Sequence, residues 1–191
     1  MLLVTAVLLA GCGDTESPPV TSDGDVPITQ RAIAAMALEH APDGTSSREA
    51  TYTDRSDPRG ARGADLRYRA EPGDDGDLLR VFISPGRNAE EPCDARIEGC
   101  ESREVDGGTL TLGWEEEAPE EDPGYVAVVL QRDDETVSVL WAGDTITGDP
   151  REQDLFISVE TLEEIAQDPR ISLTTSQAVV DAGDDLDDWD E

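Results

Sequence analysis

Few residues of this chain could do chemistry, and their types exclude most catalytic constellations. The 191 residues include no lysine, so all 14 formal positive charges belong to arginine. Schiff-base chemistry, Ser-Lys dyads and Walker-type phosphate loops each need a lysine and are therefore excluded. The chain has one histidine, His40, so neither a multi-histidine metal site nor a histidine relay can be built. Any Ser-His-Asp triad would depend wholly on His40.

His40 lies near the end of an apolar pattern that predicts an amphipathic helix over residues 28–41, stopped by Pro42. A histidine at the end of such a stripe more often packs, or interacts with the C-terminal helix dipole, than acts as a base. We therefore expect a structural role for it. The residues that share one helix face by their spacing are Ile33, Met36, Ala37 and His40.

The chain opens with an uncharged apolar run that is too short to span a bilayer as a helix and is typical of a secretory signal peptide. Its last four residues, Leu9-Ala10-Gly11-Cys12, resemble the lipobox of bacterial lipoproteins. That resemblance implies that signal peptidase II cuts before Cys12 and that Cys12 carries diacylglycerol, whose two chains suffice for stable anchoring. An ordinary signal peptide or an uncut anchor is the alternative. Because basic residues are missing before the run, a start codon upstream of Met1 also remains open.

The three cysteines are an odd number for an exported protein, but lipidation of Cys12 leaves an even pair. Cys93 and Cys100 have C-x6-C spacing and would form one disulfide in an oxidising compartment. A metal or redox site usually needs C-x-x-C spacing or added histidines, and neither is present. We therefore expect a structural disulfide that fastens a surface loop between two strands.

The net charge of −31 argues against nucleic acid as a partner, because affinity for phosphates comes largely from lysine and arginine. The acids are concentrated toward the C-terminus, where residues 104–191 contain 26 acids and 3 arginines. Adaptation to salty surroundings and a coding bias toward arginine are both open explanations.

Acidic runs occur at residues 73–77, at residues 115–117 and in the C-terminal tail. Calcium capture is their functional interpretation, since carboxylate oxygens suit that ion. None of the runs has the EF-hand spacing, with glycine at position six and glutamate at position twelve of the loop. We therefore predict solvated charge, no metal site and no cofactor.

Alternating or continuous apolar residues predict a series of strands. The runs at residues 78–83 and 125–130 are more continuously apolar than the others and suit central strands. A polar turn between residues 125–130 and 137–141 predicts that these two form a hairpin. The five predicted strands of the sheet are residues 66–70, 78–83, 110–114, 125–130 and 137–141.

A short apolar segment at residues 155–157 predicts a further strand that leads into a helix over residues 159–167. Ser158 is a suitable N-cap for that helix, and Asp168-Pro169 ends it. The residues predicted for its buried face are Leu162, Ile165 and Ala166.

Successive strands without intervening helices predict an α+β fold, with a mainly antiparallel sheet of about five strands and a helix toward each end. We assign residues 1–11 to the signal peptide and residues 12–26 to the lipidated cysteine and a flexible, acidic linker. Residues 27–180 form a single domain. Residues 181–191 form an acidic tail that is predicted to be disordered.

Several segments together resemble uncharacterised lipoproteins of high-GC Gram-positive (actinobacterial) bacteria. The segments are the lipobox, ALEHAPDGTSSREATYTD, GADLRYR, the C-x6-C loop, PEEDPGYVAVV and ITGDPR. The resemblance implies lipid anchoring to the extracytoplasmic face of the cell membrane. It implies no activity and no catalytic residues.

These observations favour a non-enzymatic module that is held at the membrane by lipid on Cys12 and binds an envelope protein or a small ligand. The alternative is a hydrolase that uses two carboxyls roughly 5 to 9.5 Å apart in a cleft, one of them with a raised pKa. A purely structural envelope protein is a third possibility. The sequence does not predict the oligomeric state.

Overall fold

The computed structural model describes most of the chain from Asp25 onward. Its described residues are 25–42, 47–52, 60–69, 76–86, 93, 97, 99–118, 122–186 and 189–190. The predicted signal peptide and the predicted lipidation site, Cys12, lie outside these residues, as does the predicted linker up to residue 24.

The described part of the fold is built on one large sheet with a small pair of strands beside it. The strands are β1 Val26–Pro27, β2 Ser47–Tyr52, β3 Arg62–Arg69, β4 Asp77–Pro85, β5 Gly99–Val105, β6 Gly108–Glu115, β7 Tyr125–Gln131, β8 Glu135–Ala142, β9 Thr174–Thr175 and β10 Trp189–Asp190. The large sheet has the order β10-β2-β3-β4-β8-β7-β6-β5, whereas β1 pairs with β9. These pairings are antiparallel except that of β10 with β2, which is parallel.

Two antiparallel meanders meet in the middle of this sheet. The first comprises β2, β3 and β4, and the second comprises β5, β6, β7 and β8. They join where β4 pairs with β8, with Val81 opposite Val139. β4 and β7 each have a neighbouring strand on both sides, as their continuously apolar sequences predict.

The helices of the described chain are α1 Gln30–His40, α2 Val159–Gln167 and α3 Gln177–Asp184, and a 3-10 turn covers Pro150–Glu152. Thr29 caps α1 by accepting a hydrogen bond from the backbone N–H of Ala32. Ser158 caps α2 in the same way, through the backbone N–H of Thr161. The predicted span, N-cap and buried face of α2 are confirmed. None of these helices is long and apolar enough to cross a membrane.

The core lies on one face of the sheet. Leu79, Val81 and Ile83, which alternate along β4, are fully buried in one cluster with Leu162 and Ile165 of α2. Because α1 and α2 contact each other as well as the strands, both helices cover this face. The opposite face of β3–β8, on which no described helix packs, is termed the open face.

α1 and α3 pack closely because α3 has a glycine at the contact. A Cβ atom on Gly183 would overlap the backbone of Ala32 in α1. The guanidinium group of Arg31 donates hydrogen bonds to the carbonyl oxygens of Gly183 and Leu186, so it caps the C-terminus of α3. α1 is thus enclosed between the sheet and α3, which explains why Ala34 is buried as fully as the residues of the predicted apolar face.

The predicted α+β single domain is confirmed, with a mainly antiparallel sheet and helices at both ends. The sheet is wider than predicted, since β3–β8 form six consecutive antiparallel strands and β2 and β10 extend it further. β5 was not predicted because its sequence, GCESREV, lacks apolar alternation. It is an edge strand whose central residues are exposed.

Residues 155–157 are not a strand, contrary to the prediction. Leu155 and Ile157 are buried, which accounts for the apolar sequence. The backbone N–H of Phe156 donates to the Asp144 carboxylate at 2.9 Å, so it bonds to a side chain and not to a neighbouring strand.

The predicted end of the domain at Val180 falls inside α3. The helix continues to Asp184 because Gly183 packs against α1. The tail that was predicted to be disordered from residue 181 therefore begins within this helix, and residues 189–190 pair with β2.

Candidate functional site

The open face presents apolar side chains that no described helix covers. Leu78 and Phe82 of β4 and Leu140 of β8 are partly exposed on it. Val129 of β7 lies near its centre and is 3% exposed. The ring of Phe82 lies over Gly63 of β3, where a Cβ atom would be 2.7 Å from Cδ2 of that ring. The glycine thereby leaves room for the phenylalanine ring.

Polar side chains toward the two sides of the open face bond to one another across neighbouring strands. Arg80 donates two hydrogen bonds to the carboxylate of Asp65, at 2.7 and 2.8 Å. The hydroxyl groups of Ser102 and Thr111 are 2.9 Å apart and share a hydrogen bond. Asp65 and Thr111 are buried. The open face therefore combines partly exposed apolar side chains with polar groups that are satisfied by one another.

Cys93, which lies between β4 and β5 in the chain, is paired with Cys100 of β5 on the side of the open face. Their sulfur atoms lie at bonding distance, and their Cα atoms are 5.6 Å apart. Arg103 of β5 reaches Glu163 of α2 on the helical side of the sheet, so Cys100, which alternates with it, points to the opposite side. This is the cysteine pairing that the sequence predicts, and it fixes Cys93 on the side of the open face.

A second group of side chains, the His40 cluster, lies on the helical side and consists of Glu39, His40, Glu164, Asp168 and Arg170. Nε2 of His40 is 2.9 Å from Oδ2 of Asp168, and Nδ1 is 3.8 Å from Oε2 of Glu164. Arg170 bonds to the carboxylate of Asp168 through Nε and Nη2, and its Nη1 is 2.8 Å from Glu39. The cluster borders a wide cleft of about 620 Å³.

The hairpin of β7 and β8 positions the segment that carries Asp168. In this hairpin, Arg132 and Glu135 form an ion pair whose side chains are 16% and 7% exposed. Arg132 donates to the carbonyl oxygens of Asp168 and Ile171, at 3.2 and 2.8 Å. Glu135 accepts from the backbone N–H of Leu173 at 2.8 Å. The buried pair thereby determines where Asp168 meets His40.

Asp168 is an ionised group in a buried position, with a side chain that is 3% exposed. Burial raises the pKa of its carboxyl, but the hydrogen bonds from Arg170 and His40 outweigh burial and lower the pKa to about 2. The His40 cluster therefore keeps a negative charge at its centre at neutral pH.

A second pair of acids lies where β4 begins and β8 ends. Desolvation raises the pKa of Asp77, and the negative charge of Asp144 raises it further. Asp144 accepts hydrogen bonds from Nε1 of Trp141 at 2.8 Å and from the backbone N–H of Phe156 at 2.9 Å. A carboxyl with a raised pKa beside an ionised one is what an acid-base hydrolase requires, but both bonds of Asp144 serve the fold.

A crevice of about 80 Å³ lies between β5 and α2. Arg103 pairs with Glu163 across it at 2.6 Å, and Arg151 pairs with Glu101 at 2.7 Å. The guanidinium carbon of Arg151 is also 5.8 Å from the centre of the Trp114 ring. These contacts fasten the edge strand to the body of the domain.

His40, the one histidine considered for catalysis in the sequence analysis, lies in the His40 cluster and bonds to the carboxylate of Asp168. The described residues that line its cleft include no serine, threonine or cysteine, so no catalytic triad forms there. Within the described ranges, no three or more His, Cys, Asp or Glu side chains are grouped to hold a metal ion. The acidic run at residues 73–75 lies outside those ranges. Sequence reasoning missed Asp168 and Arg170 as partners of His40, although Asp168-Pro169 was identified as the end of α2.

Comparison with known proteins leaves the function to be inferred from these sites. No protein family, no curated protein and no solved structure matches the chain.

Proposed function

We propose that the protein is a lipid-anchored, extracytoplasmic binding module that contacts a partner in the cell envelope, a protein or a small ligand, through its open face. The lipobox-like tetrad ending in Cys12 and the polar linker after it support the anchor. One observation carries the binding role: the described helices cover one side of the sheet, while partly exposed Leu78, Phe82 and Leu140 lie on the other. Partly exposed apolar surface of this kind is typical of interaction sites.

The charge on the open face also supports this role. Among the residues of β3–β6 whose side chains the structure describes, two arginines and three acids alternate with the core residues, whereas the whole chain carries a net charge of −31. A neutral or apolar partner can therefore cover this face with less desolvation of charged groups than elsewhere on the molecule. These described charged residues are Asp65, Arg67, Arg80, Glu104 and Glu115.

The anchor is tested by intact mass spectrometry of the protein isolated from its native membranes, with Cys12→Ala as the matched variant. We expect a diacylglyceryl mass on a chain that begins at Cys12, and no such mass in the variant. An unmodified or uncut chain in the membrane fraction would contradict the anchor and leave the location of the domain open.

The binding face is tested by photo-crosslinking in intact cells. A photoreactive residue replaces Phe82 on the open face or, as a control, Glu160, which is exposed on α2. We expect adducts of one defined mass from position 82 and none of that mass from position 160. The proposal fails if position 82 gives no adduct, or if both positions give the same adducts.

A carboxylate hydrolase of the envelope is the second candidate, favoured by the raised pKa of Asp77 beside Asp144. The test is hydrolysis of chromogenic glycosides and cell-wall glycan by the wild type and by Asp77→Asn. Turnover that falls at least about a hundredfold in the variant would support this candidate. Equal rates, or no turnover by either protein, would remove it.

A further inference from the structure

The large sheet ends in a long exposed strand. β5, Gly99–Val105, has β6 as its one neighbour among the described strands, and residues 100–104 are exposed. The other end of the sheet is formed by β10, which has only two residues, Trp189–Asp190. A strand of another chain can add to an exposed edge, because the N–H and C=O groups there lack strand partners. Charged side chains usually oppose such pairing, so the charges of β5 decide which strand fits.

The hairpin of β5 and β6 shows which peptide groups of β5 point away from the sheet. Val105 and Gly108 flank its two-residue turn and are partners in the register. In a hairpin with such a turn, the flanking residues bond to each other, and hydrogen-bonded and non-hydrogen-bonded pairs then alternate along the strands. Every second residue of β5 therefore directs its N–H and C=O outward. The residues with outward peptide groups are Cys100, Ser102 and Glu104.

The side chains of Glu101 and Arg103 lie on the helical side of β5 and carry opposite charges. Glu101 pairs with Arg151 at 2.7 Å, and Arg103 pairs with Glu163 at 2.6 Å. Both remain largely exposed, at 60% for Glu101 and 54% for Arg103, so each can accept a further partner. The two charges flank Ser102. A second β5 strand that runs antiparallel, with Ser102 opposite Ser102, would therefore place each glutamate opposite an arginine.

We propose that the protein forms a symmetric dimer in which two β5 strands pair antiparallel about Ser102 and join the two sheets into one. The outward peptide groups of Ser102 bond to those of Ser102 in the second copy, and those of Cys100 bond to those of Glu104. Glu101 and Arg103 then form the non-hydrogen-bonded pairs, in which facing Cα atoms are about 4.5 Å apart and the side chains are closest. A surface that pairs with itself in this way satisfies the twofold symmetry of most homodimers.

The charges beside β5 suit this arrangement. In the dimer, a row of alternating sign consists of Arg151, Glu101, Arg103 of the second copy and Glu163 of the second copy. Such a network contributes more than an isolated surface ion pair. In the ion pairs beside β5, two arginines offset most of the charge of three acids, so two copies repel less here than their net charge of −31 suggests. The residues of these ion pairs are Arg103, Arg151, Glu101, Glu163 and Asp149.

The test is sedimentation equilibrium of the full-length chain in a detergent whose density matches the buffer, so that the measured mass is that of the protein alone. We expect a monomer–dimer equilibrium with a dissociation constant in roughly the micromolar range, because a one-strand interface is small. Glu101→Arg places like charges opposite each other in both pairs, and Arg103→Glu does the same. Each variant alone should dimerise at least about tenfold more weakly than the wild type.

An equal mixture of the two variants provides the decisive measurement, since it should regain the affinity of the wild type. In the mixed dimer, the introduced arginine lies opposite the introduced glutamate, and native Arg103 lies opposite native Glu101. A misfolded variant could not be rescued in this way. Asp181→Arg, which makes the same charge change as Glu101→Arg on the exposed side of α3, should dimerise like the wild type.

Three results would overturn the proposal. The first is a wild type that stays monomeric at about 0.1 mM protein. The second is an unchanged dimer in both Glu101→Arg and Arg103→Glu, which would place the interface elsewhere. The third is a mixture that associates no better than the two variants alone, which would exclude pairing in this register. All three are independent of the crosslinking at Phe82, because β5 pairs through its edge and leaves the open face accessible.

Discussion

Asp168 bonds to two separate parts of the domain, helix α1 and the β7–β8 hairpin. Its carboxylate bonds to His40 of α1 and to Arg170, and its carbonyl oxygen accepts from Arg132 of the β7–β8 hairpin. Because the pKa of this carboxyl falls from an ordinary 3.8 to about 2 in the fold, ionised Asp168 stabilises the folded state fully above about pH 4. That stabilisation is lost as the pH falls from about 4 to about 2.

We predict that Asp168→Asn lowers the free energy of unfolding at pH 7 by roughly 2 kcal/mol and flattens its decline between about pH 4 and pH 2. Urea denaturation across this range measures both effects. Asp181→Asn, which alters an exposed acid of α3, should keep the wild-type pH profile. If the free energy of unfolding declined equally between about pH 4 and pH 2 in the wild type and in Asp168→Asn, the buried carboxylate would contribute nothing to stability in acid.

Gly183 offers a second test at the residue scale. Alanine is the better helix former by about 1 kcal/mol, so Gly183→Ala would stabilise α3 if the site were open. The added Cβ would instead overlap the backbone of Ala32, and we predict a net loss of about 1–3 kcal/mol in the free energy of unfolding. Thermal and urea unfolding provide the measurement, with Asp181→Ala on the exposed side of α3 as the control. A stabilised Gly183→Ala would refute the close packing of α1 and α3.

At the level of elements, the stability of β5 depends on its disulfide and its ion pairs, because burial of its side chains contributes little. Its residues are largely exposed, and β6 is its one neighbour among the described strands. The Cys93–Cys100 disulfide is attached to its second residue. Replacing both cysteines by serine should lower the free energy of unfolding by about 2–3 kcal/mol. Amide hydrogen exchange should accelerate in β5 while β7 stays protected. A reductant should accelerate amide exchange in β5 of the wild type and leave the exchange rates of the double variant unchanged. If the double replacement does not accelerate exchange in β5, the prediction is contradicted.

How far the sequence predicted these elements depended on burial. Residues of β4 and β7 are apolar because both strands are central, so their pattern located them. β5 lies at an edge and has no apolar pattern, while residues 155–157 are apolar and buried without being a strand. In residues 155–157 the apolar sequence thus indicated burial correctly, but it indicates a strand only where a neighbouring strand is available.

The candidate sites were less predictable than the fold, for a related reason. His40 stood out because it is unique, but Asp168 and Arg170 are distant from it in the chain and resemble the many other acids and arginines. The hydrogen bonds of Arg132 and Glu135, which come from a distant hairpin, help to fix the loop that brings Asp168 to His40. A contact between residues so far apart in the chain leaves no pattern in the local sequence. The open face was equally hidden, since the sequence does not distinguish the partly exposed Phe82 from a core residue.

Across the whole molecule, the dominant physical fact is the net charge of −31. Self-repulsion of this size destabilises a compact state, and at molar salt the screening length falls to about 3 Å. We predict that the midpoint of urea unfolding rises between low and molar NaCl. KCl at equal ionic strength should act equally, because screening depends on charge and concentration. A midpoint that does not move would show that the acids are tolerated without help from salt.

The pairing of β4 with β8 has a consequence for how the chain is made. The first meander, β2, β3 and β4, is complete before β8 has been synthesised, so one edge of β4 stays without its partner. Leu79, Val81 and Ile83 lie on that strand, and an apolar strand with an open edge is prone to pair with other chains. Closing the sheet also requires contact between distant parts of the chain, which slows folding. A strand at the centre of the finished sheet is therefore the one most exposed to aggregation during synthesis.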